Sequence, residues 1–219
     1  MNLLSKLNSS AKTKTIEPRE IFMTLPSKAP GYGYPRDVQS EVWKKWFDIR
    51  NEKNVSEYEK FEEALNQIGV VLGFVCSRPD KETGGYGPDN LWAIDSNKYL
   101  VIECKTEATT QTIKKDYCNQ LSGSVNWFKE NYVYPNECTP IIVHPSKFVD
   151  VVASPDENMR VMTEEELTCF RKNIRDFYSA LCHNGSISDI SKINELLSIY
   201  KLRKDDIVNR YTVKFERQK

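Results

Sequence analysis

The sequence predicts an α/β domain, and three observations carry that prediction. Two amphipathic helical stripes flank a pair of short apolar runs, and a third apolar run follows, giving the order α-β-β-α-β in mid-chain. The runs are bounded by turn-forming residues, as strands are. The composition, 39% hydrophobic and 28% charged over 219 residues, supports a packed core and argues against disorder or a fibrous repeat.

The elements follow in order. Residues 1–15 are polar and lysine-bearing, and 16–35 are rich in proline and glycine. A helix is predicted over about 36–50, with Val38, Val42, Trp46 and Ile49 at steps of three and four. Ser56-Glu57-Tyr58-Glu59 reads as a capping box. It opens a helix whose stripe is Tyr58, Phe61, Leu65, Ile68 and Leu72, with Gly73 placed to end it. A turn-rich stretch spans 79–88. Strands are predicted over 91–94 and 99–105 around the turn Asp95-Ser96-Asn97, a helix over 112–132, and a buried strand over 140–144. Beyond 149 the pattern is mostly helical. Thr163-Glu164-Glu165-Glu166 caps the stripe Leu167, Phe170, Ile174, Phe177, Leu181. Two short helices near 187–200 and 203–209 follow, then a last strand over 211–215. Three segments result: 1–53, 54–148 as the core, and 149–219 as a mostly helical extension packed on it.

Several function classes are set aside by composition. No apolar run is long enough for a transmembrane helix, and Met1-Asn2-Leu3-Leu4-Ser5-Lys6 lacks the apolar region of a secretory signal. The six cysteines contain no C-x-x-C pair and fit no zinc pattern, so reduced thiols in a cytoplasmic protein are expected. Lys+Arg and Asp+Glu both number 31, so any nucleic-acid role must rest on local patches.

Chemistry concentrates around the second strand. In Tyr99-Leu100-Val101-Ile102-Glu103-Cys104-Lys105, alternation puts Glu103 and Lys105 on one face and Leu100, Ile102 and Cys104 on the other. A carboxylate and an ammonium are expensive to bury idle at the end of so apolar a strand. A hairpin through Asp95-Ser96-Asn97 brings Asp89 back near Glu103. Two carboxylates and one ammonium then converge in a hard-oxygen site suited to Mg²⁺. A further acid should come from the preceding helix. Glu62 lies about 90° from the centre of the apolar stripe, whereas Glu63 lies about 150° or more away. Glu62 is therefore the expected ligand, with Glu63 in reserve. His144, at the end of an apolar strand, reads as a satisfied structural histidine, and Trp127 as a core side chain.

Glu62, Pro88-Asp89 and Glu103-Cys104-Lys105 resemble the signature of the PD-(D/E)XK nuclease superfamily. The thirteen residues between Asp89 and Glu103 and the α-β-β-α-β order both fit, and the resemblance covers roughly 55–148. It implies a restriction-endonuclease-like core, a central mixed sheet flanked by helices, and metal-dependent hydrolysis of phosphodiester bonds in DNA. Asp89 and Glu103 would hold Mg²⁺, with Mn²⁺ able to substitute, Glu62 would add a direct or water-mediated contact, and Lys105 would be the catalytic lysine. In such nucleases the helix after the active strand faces DNA, which suggests phosphate contacts from Lys114, Lys115 and Gln120; a solvated face is the alternative for these three.

The motifs Phe61-Glu62-Glu63-Ala64-Leu65, Gly87-Pro88-Asp89-Asn90-Leu91-Trp92, Val101-Ile102-Glu103-Cys104-Lys105 and Asn119-Gln120-Leu121-Ser122-Gly123-Ser124 also look like the nuclease-like C-terminal region of certain bacterial DEAD/DEAH-box helicases. Arg19-Glu20-Ile21-Phe22 and Tyr34-Pro35-Arg36-Asp37-Val38-Gln39 are similar to the opposite end of those proteins, ahead of the motor. The motor is missing: no glycine precedes a lysine, so there is no phosphate-cradling G-x-x-x-x-G-K-[ST], and no D-E-A-D box occurs. Helicase activity is not implied, and Gln39 has no catalytic role. The resemblance points to DNA processing or defence against foreign DNA, with DNA as partner, a helicase or ATPase as a further one, and a homodimer where both strands are cut. A catalytically silent DNA-binding module that assists a helicase is the alternative function.

Overall fold

The computed structural model describes residues 57–217, apart from 106–107, 109, 133–134 and 184–188. The leader at 1–53, its expected helix, Gln39 and Ser56 of the first capping box lie outside the described residues, as does the Asn184-Gly185 break.

Helix α1 (Glu57–Val71) leads into β1 (Val75–Ser77), the four-residue helix α2 (Pro79–Glu82), and the hairpin of β2 (Asn90–Ala93) and β3 (Lys98–Cys104). Helix α3 (Lys115–Asn131) crosses to β4 (Glu137–Val143). Strands β5 (Phe148–Val149) and β6 (Arg160–Met162) precede helices α4 (Glu164–His183), α5 (Ile190–Ile199) and α6 (Lys204–Tyr211), and β7 (Val213–Lys214) and β8 (Glu216–Arg217) end the chain. Six strands form one mixed sheet in the order β1-β2-β3-β4-β6-β7. Pairings β1–β2, β2–β3 and β6–β7 are antiparallel, whereas β3–β4 and β4–β6 are parallel. Strands β5 and β8 pair separately.

Strand alternation divides the core in two. Leu100, Ile102 and Cys104 of β3 face the first core with Leu65 and Ile68 of α1, Phe170 and Ile174 of α4, and Ile193 of α5. Tyr99 and Val101 face the second with Cys118, Leu121 and Phe128 of α3. Both faces of β3 are covered, so its apolar run is continuous, as in a parallel-sheet centre. The α/β class with a central mixed sheet flanked by helices is therefore the architecture.

The expected elements differ from the observed ones mainly at their edges. Strand β4 begins three residues earlier than its apolar run, and α3 begins three residues later than its stripe. Strands β1 and β6 and helix α2 carry no readable period because each is only three or four residues long. Strand β7 falls within the strand expected over 211–215, and with the unforeseen β6 it completes the sheet. At the start of α4, Thr163 N–H donates to Glu166 Oε2 at 3.2 Å, which is one of the two bonds of the expected capping box, and the Thr163 hydroxyl donates to the same oxygen. Gly73 at φ 94° ends α1: Gly73 N–H reaches Val70 O, and Phe74 N–H reaches Gly69 O at 3.0 Å. All six cysteines are free thiols.

Close packing of α1 on the sheet depends on Gly69. A Cβ there would lie 2.4 Å from Cys76 Sγ and 2.7 Å from Trp92 Cε2. Gly69→Ala is expected to destabilise the fold by roughly 1–3 kcal/mol through overpacking, read as a lower urea midpoint. An unchanged midpoint would contradict this contact between α1 and β2.

Candidate active site

The site forms where the β2–β3 hairpin, the C-terminal part of β3, helix α1 and the β1–α2 connection meet. The register pairing Asn90 with Ile102 carries Asp89 up to Glu103. Asp89 Oδ2 accepts the Cys104 N–H at 2.7 Å, which fixes the carboxylate against the end of β3. Asn90 is fully buried, and its Nδ2 donates to Glu62 O at 3.1 Å. That bond ties β2 to the turn of α1 that bears Glu62.

Glu103 and Lys105 share one face of the strand, as alternation requires. Glu103 is 0% exposed. Its Oε1 accepts from Ser124 Oγ of α3 at 2.6 Å and its Oε2 from Lys105 Nζ at 3.1 Å. Lys105 continues the β3–β4 ladder, with its N–H on Val143 O at 2.8 Å. Its ammonium also donates to Cys104 O at 3.2 Å and stands 3.8 Å from Asp89 Oδ2.

Glu62 is the inward acid of α1, 6% exposed, and Glu63 points outward with a side chain 40% exposed. The wheel geometry separating them therefore holds in the fold. The cluster that could hold a metal is not the expected trio, however. Carboxylate oxygens of Glu62, Asp80 and Asp89 lie within 4.8 Å of one another, and Glu103 is outside that group. Asp80 comes from α2 and reaches the site because its N–H donates to Pro88 O at 3.3 Å, closing the loop onto Asp89. Arg78, just ahead of α2, ion-pairs with Glu62.

Three site residues escaped the sequence reading: Asp80, Arg78 and Ser124. Two carried a signal. Asp80 follows Pro79 as Asp89 follows Pro88, and Ser124 interrupts the buried stripe Cys118, Leu121, Phe128 with a hydroxyl. Arg78 carried none, since only the fold brings it to Glu62.

The electrostatics follow from crowding. Glu62, Asp80, Asp89 and Glu103 crowd around Arg78 and Lys105; Glu63 shares Arg78, and Lys81 acts on Glu62 and Asp80 from the side. Burial, then the Asp89 charge, raises Glu62 to about 7 against the opposing pull of Arg78. Burial and Asp89 likewise raise Glu103, against the opposing pull of Lys105. Asp80 is raised mainly by burial. For Lys105, burial pulls downward, but Glu103 and Asp89 outweigh it and hold the group above its ordinary value. Lys105 is therefore held as an ammonium beside the carboxyls.

The remaining residues sit around this centre. Lys114, Lys115 and Gln120 are exposed at the start of α3. The ring of Tyr117 lies 5.9 Å from both Lys105 Nζ and Lys114 Nζ, which joins that helix end to the site. His144 is buried beside Tyr117, their ring centroids 6.0 Å apart. Its Nδ1 is engaged with the Ser146 backbone at 3.0 Å, and among the described residues Nε2 has no hydrogen-bond partner. The expectation of a fully satisfied histidine is corrected to that extent. Burial keeps this imidazole below its usual pKa. Trp127 is half-buried against the second core and also packs on Gly87, as a core side chain does.

The donor set suits a hard divalent cation. The three grouped donors are carboxylates, as is the adjacent Glu103, and Asp80 Oδ1 is a buried acceptor without a hydrogen-bond partner among the described residues. No family model, curated protein or solved structure matches the chain.

Proposed function

We propose that the chain is a metal-dependent DNA nuclease with a restriction-endonuclease-like core, acting in the cytoplasm in DNA processing or defence against foreign DNA. The observation that carries this reading is the crowding of carboxylates at the end of β3. Carboxylate oxygens of Glu62, Asp80 and Asp89 lie within 4.8 Å of one another, and the Lys105 ammonium stands 3.8 Å from Asp89 Oδ2. Glu62, Asp80 and Asp89 would hold the ion, with Glu103 adjacent; Mg²⁺ is the expected occupant, and Mn²⁺ is expected to substitute. When bound, Mg²⁺ supplies Lewis-acid polarisation of a phosphate oxygen and acidification of water.

The chain's own residues do the rest. Asp89 and Glu103 anchor the centre to the rigid end of β3. Lys105 presents a fixed positive charge where negative charge builds up during attack on a phosphodiester. Lys114 and Lys115 offer phosphate contacts on the neighbouring helix end, and the exposed Gln120 lies one turn further along. A helicase or ATPase is the further partner this reading suggests, and a homodimer suits cutting of both strands.

The test is incubation of the purified chain with supercoiled plasmid and with linear single-stranded DNA, in Mg²⁺, Mn²⁺ and EDTA. Cutting in either metal and none in EDTA is expected, with nicked circles marking an endonuclease. DNA binding that survives EDTA, with no cutting in any metal, would replace the nuclease with a silent DNA-binding module.

A further inference from the structure

A line of side chains runs from the outer flank of α1 into the acidic cluster. Gln67 Nε2 donates to Glu63 Oε1 at 2.8 Å, one helical turn away. Glu63 Oε2 faces Arg78 Nη1 at 3.4 Å, and Arg78 Nη2 pairs with Glu62 Oε2. The Arg78 side chain is only 11% exposed. Its backbone is also tied, the N–H donating to Glu82 Oε1 at 3.3 Å, and Pro79 follows it directly. Arg78 is thus held at its backbone, its outer arm and its inner arm, and the inner arm ends on an acid of the cluster.

We propose that Arg78 is the positioning residue of Glu62, itself held by Glu63 and Gln67, and that this relay sets the affinity of the acidic cluster for a divalent cation. The inference rests on the metal-site reading above. A carboxylate on a helix has several rotamers, and only some direct an oxygen toward Asp80 and Asp89. Engagement of Glu62 Oε2 by a planar guanidinium fixes the plane of the carboxylate that the cluster uses. A lysine could supply the charge but not the two-armed bridge from Glu63 to Glu62. Glu63 thereby acquires a function other than the ligand role held in reserve for it: it orients the arginine from outside.

The experiment is a Mn²⁺ titration of the full chain followed by electron paramagnetic resonance of the free ion, with circular dichroism as the check on folding. Arg78→Gln is expected to weaken Mn²⁺ binding about 10–100-fold. Arg78→Lys should recover only part of that loss. Glu63→Gln touches no cluster residue directly and should weaken binding several-fold; it decides the matter alone if Arg78→Gln fails to fold. Unchanged affinity in both Arg78→Gln and Glu63→Gln would overturn the relay and leave the metal site standing. Tighter binding in Arg78→Gln would also overturn it, marking the arginine as a competitor of the metal. No Mn²⁺ binding by the wild-type chain would remove the metal site and the relay together.

Discussion

Replacing Lys105 with alanine is expected to lower DNA cleavage at least about a hundredfold while the circular dichroism spectrum stays native. Loss of one preorganised charge aimed at a developing oxyanion typically costs about 10²–10³ in rate, and Lys105 has little freedom to be replaced by a neighbour. Its ammonium is pinned by Glu103 Oε2 at 3.1 Å and Cys104 O at 3.2 Å, beside Asp89. The fold should survive because Glu103 has a second route to neutrality. With the ammonium gone, its already raised carboxyl takes up a proton and keeps the bond to Ser124. Asp89→Ala should abolish cleavage as well, since it removes the carboxylate shared by the metal cluster and the Lys105 side of the site. Full cleavage in both variants would sink the assignment of this site. Inactive variants that have also lost their native spectrum would say nothing of catalysis, and for that case Lys105→Met, which keeps the aliphatic stem, is the variant to measure.

The second large effect is a stability that falls with rising pH in the absence of metal and is restored by it. In the unfolded chain a glutamate loses its proton near 4.5, whereas folded Glu62 holds its proton up to about 7. Between those values the folded chain binds more protons than the unfolded one, so stability declines as pH rises through the window. Glu103 is shifted in the same direction and adds to the decline. For Glu62 alone the loss is on the order of 3 kcal/mol, or roughly 6–12 °C in melting temperature for a domain of this size. A divalent cation works in the opposite sense. On the proposed metal site it would bind only the folded, ionised cluster, and so would have to displace protons at low pH but not at high pH. In EDTA the melting temperature should therefore fall from pH 5 to pH 8, and added Mg²⁺ should raise it markedly at pH 8 and little at pH 5. His144, whose folded pKa is lowered, contributes in the opposite sense below its unfolded value, so a melting temperature that is level or rises in EDTA both in the wild-type chain and in His144→Gln would mean that the carboxyls are ionised without metal.

What the sequence by itself determined is local and periodic. The stripes of α1, α3 and α4, the apolar run of β3 and the turn at Asp95-Ser96-Asn97 fixed the α/β class, because burial at a constant angular or linear step leaves a repeat in the chain. Alternation along β3 placed Glu103 with Lys105, and the 100° step of α1 turned Glu62 inward and Glu63 outward. The hairpin then carried Asp89 to the same end. Strands too short to show a period, β1 and β6, could be seen only as partners of longer neighbours, and pairing is a property of two segments rather than one.

Only the tertiary structure decided the composition of the acidic cluster. Asp80 and Arg78 lie on a connection whose path is set by distant contacts: the Asp80 bond to Pro88 O and the packing of Gly87 on Trp127. Their charges matter because burial strengthens them, and burial is absent from a linear sequence. The same is true of Ser124, a hydroxyl on the inner stripe of α3 that acquires meaning when Glu103 comes to rest 2.6 Å away. Side-chain type and spacing located the strand-borne acids and the lysine. The convergence of α1, α2 and α3 on that strand decided which other groups share their charge.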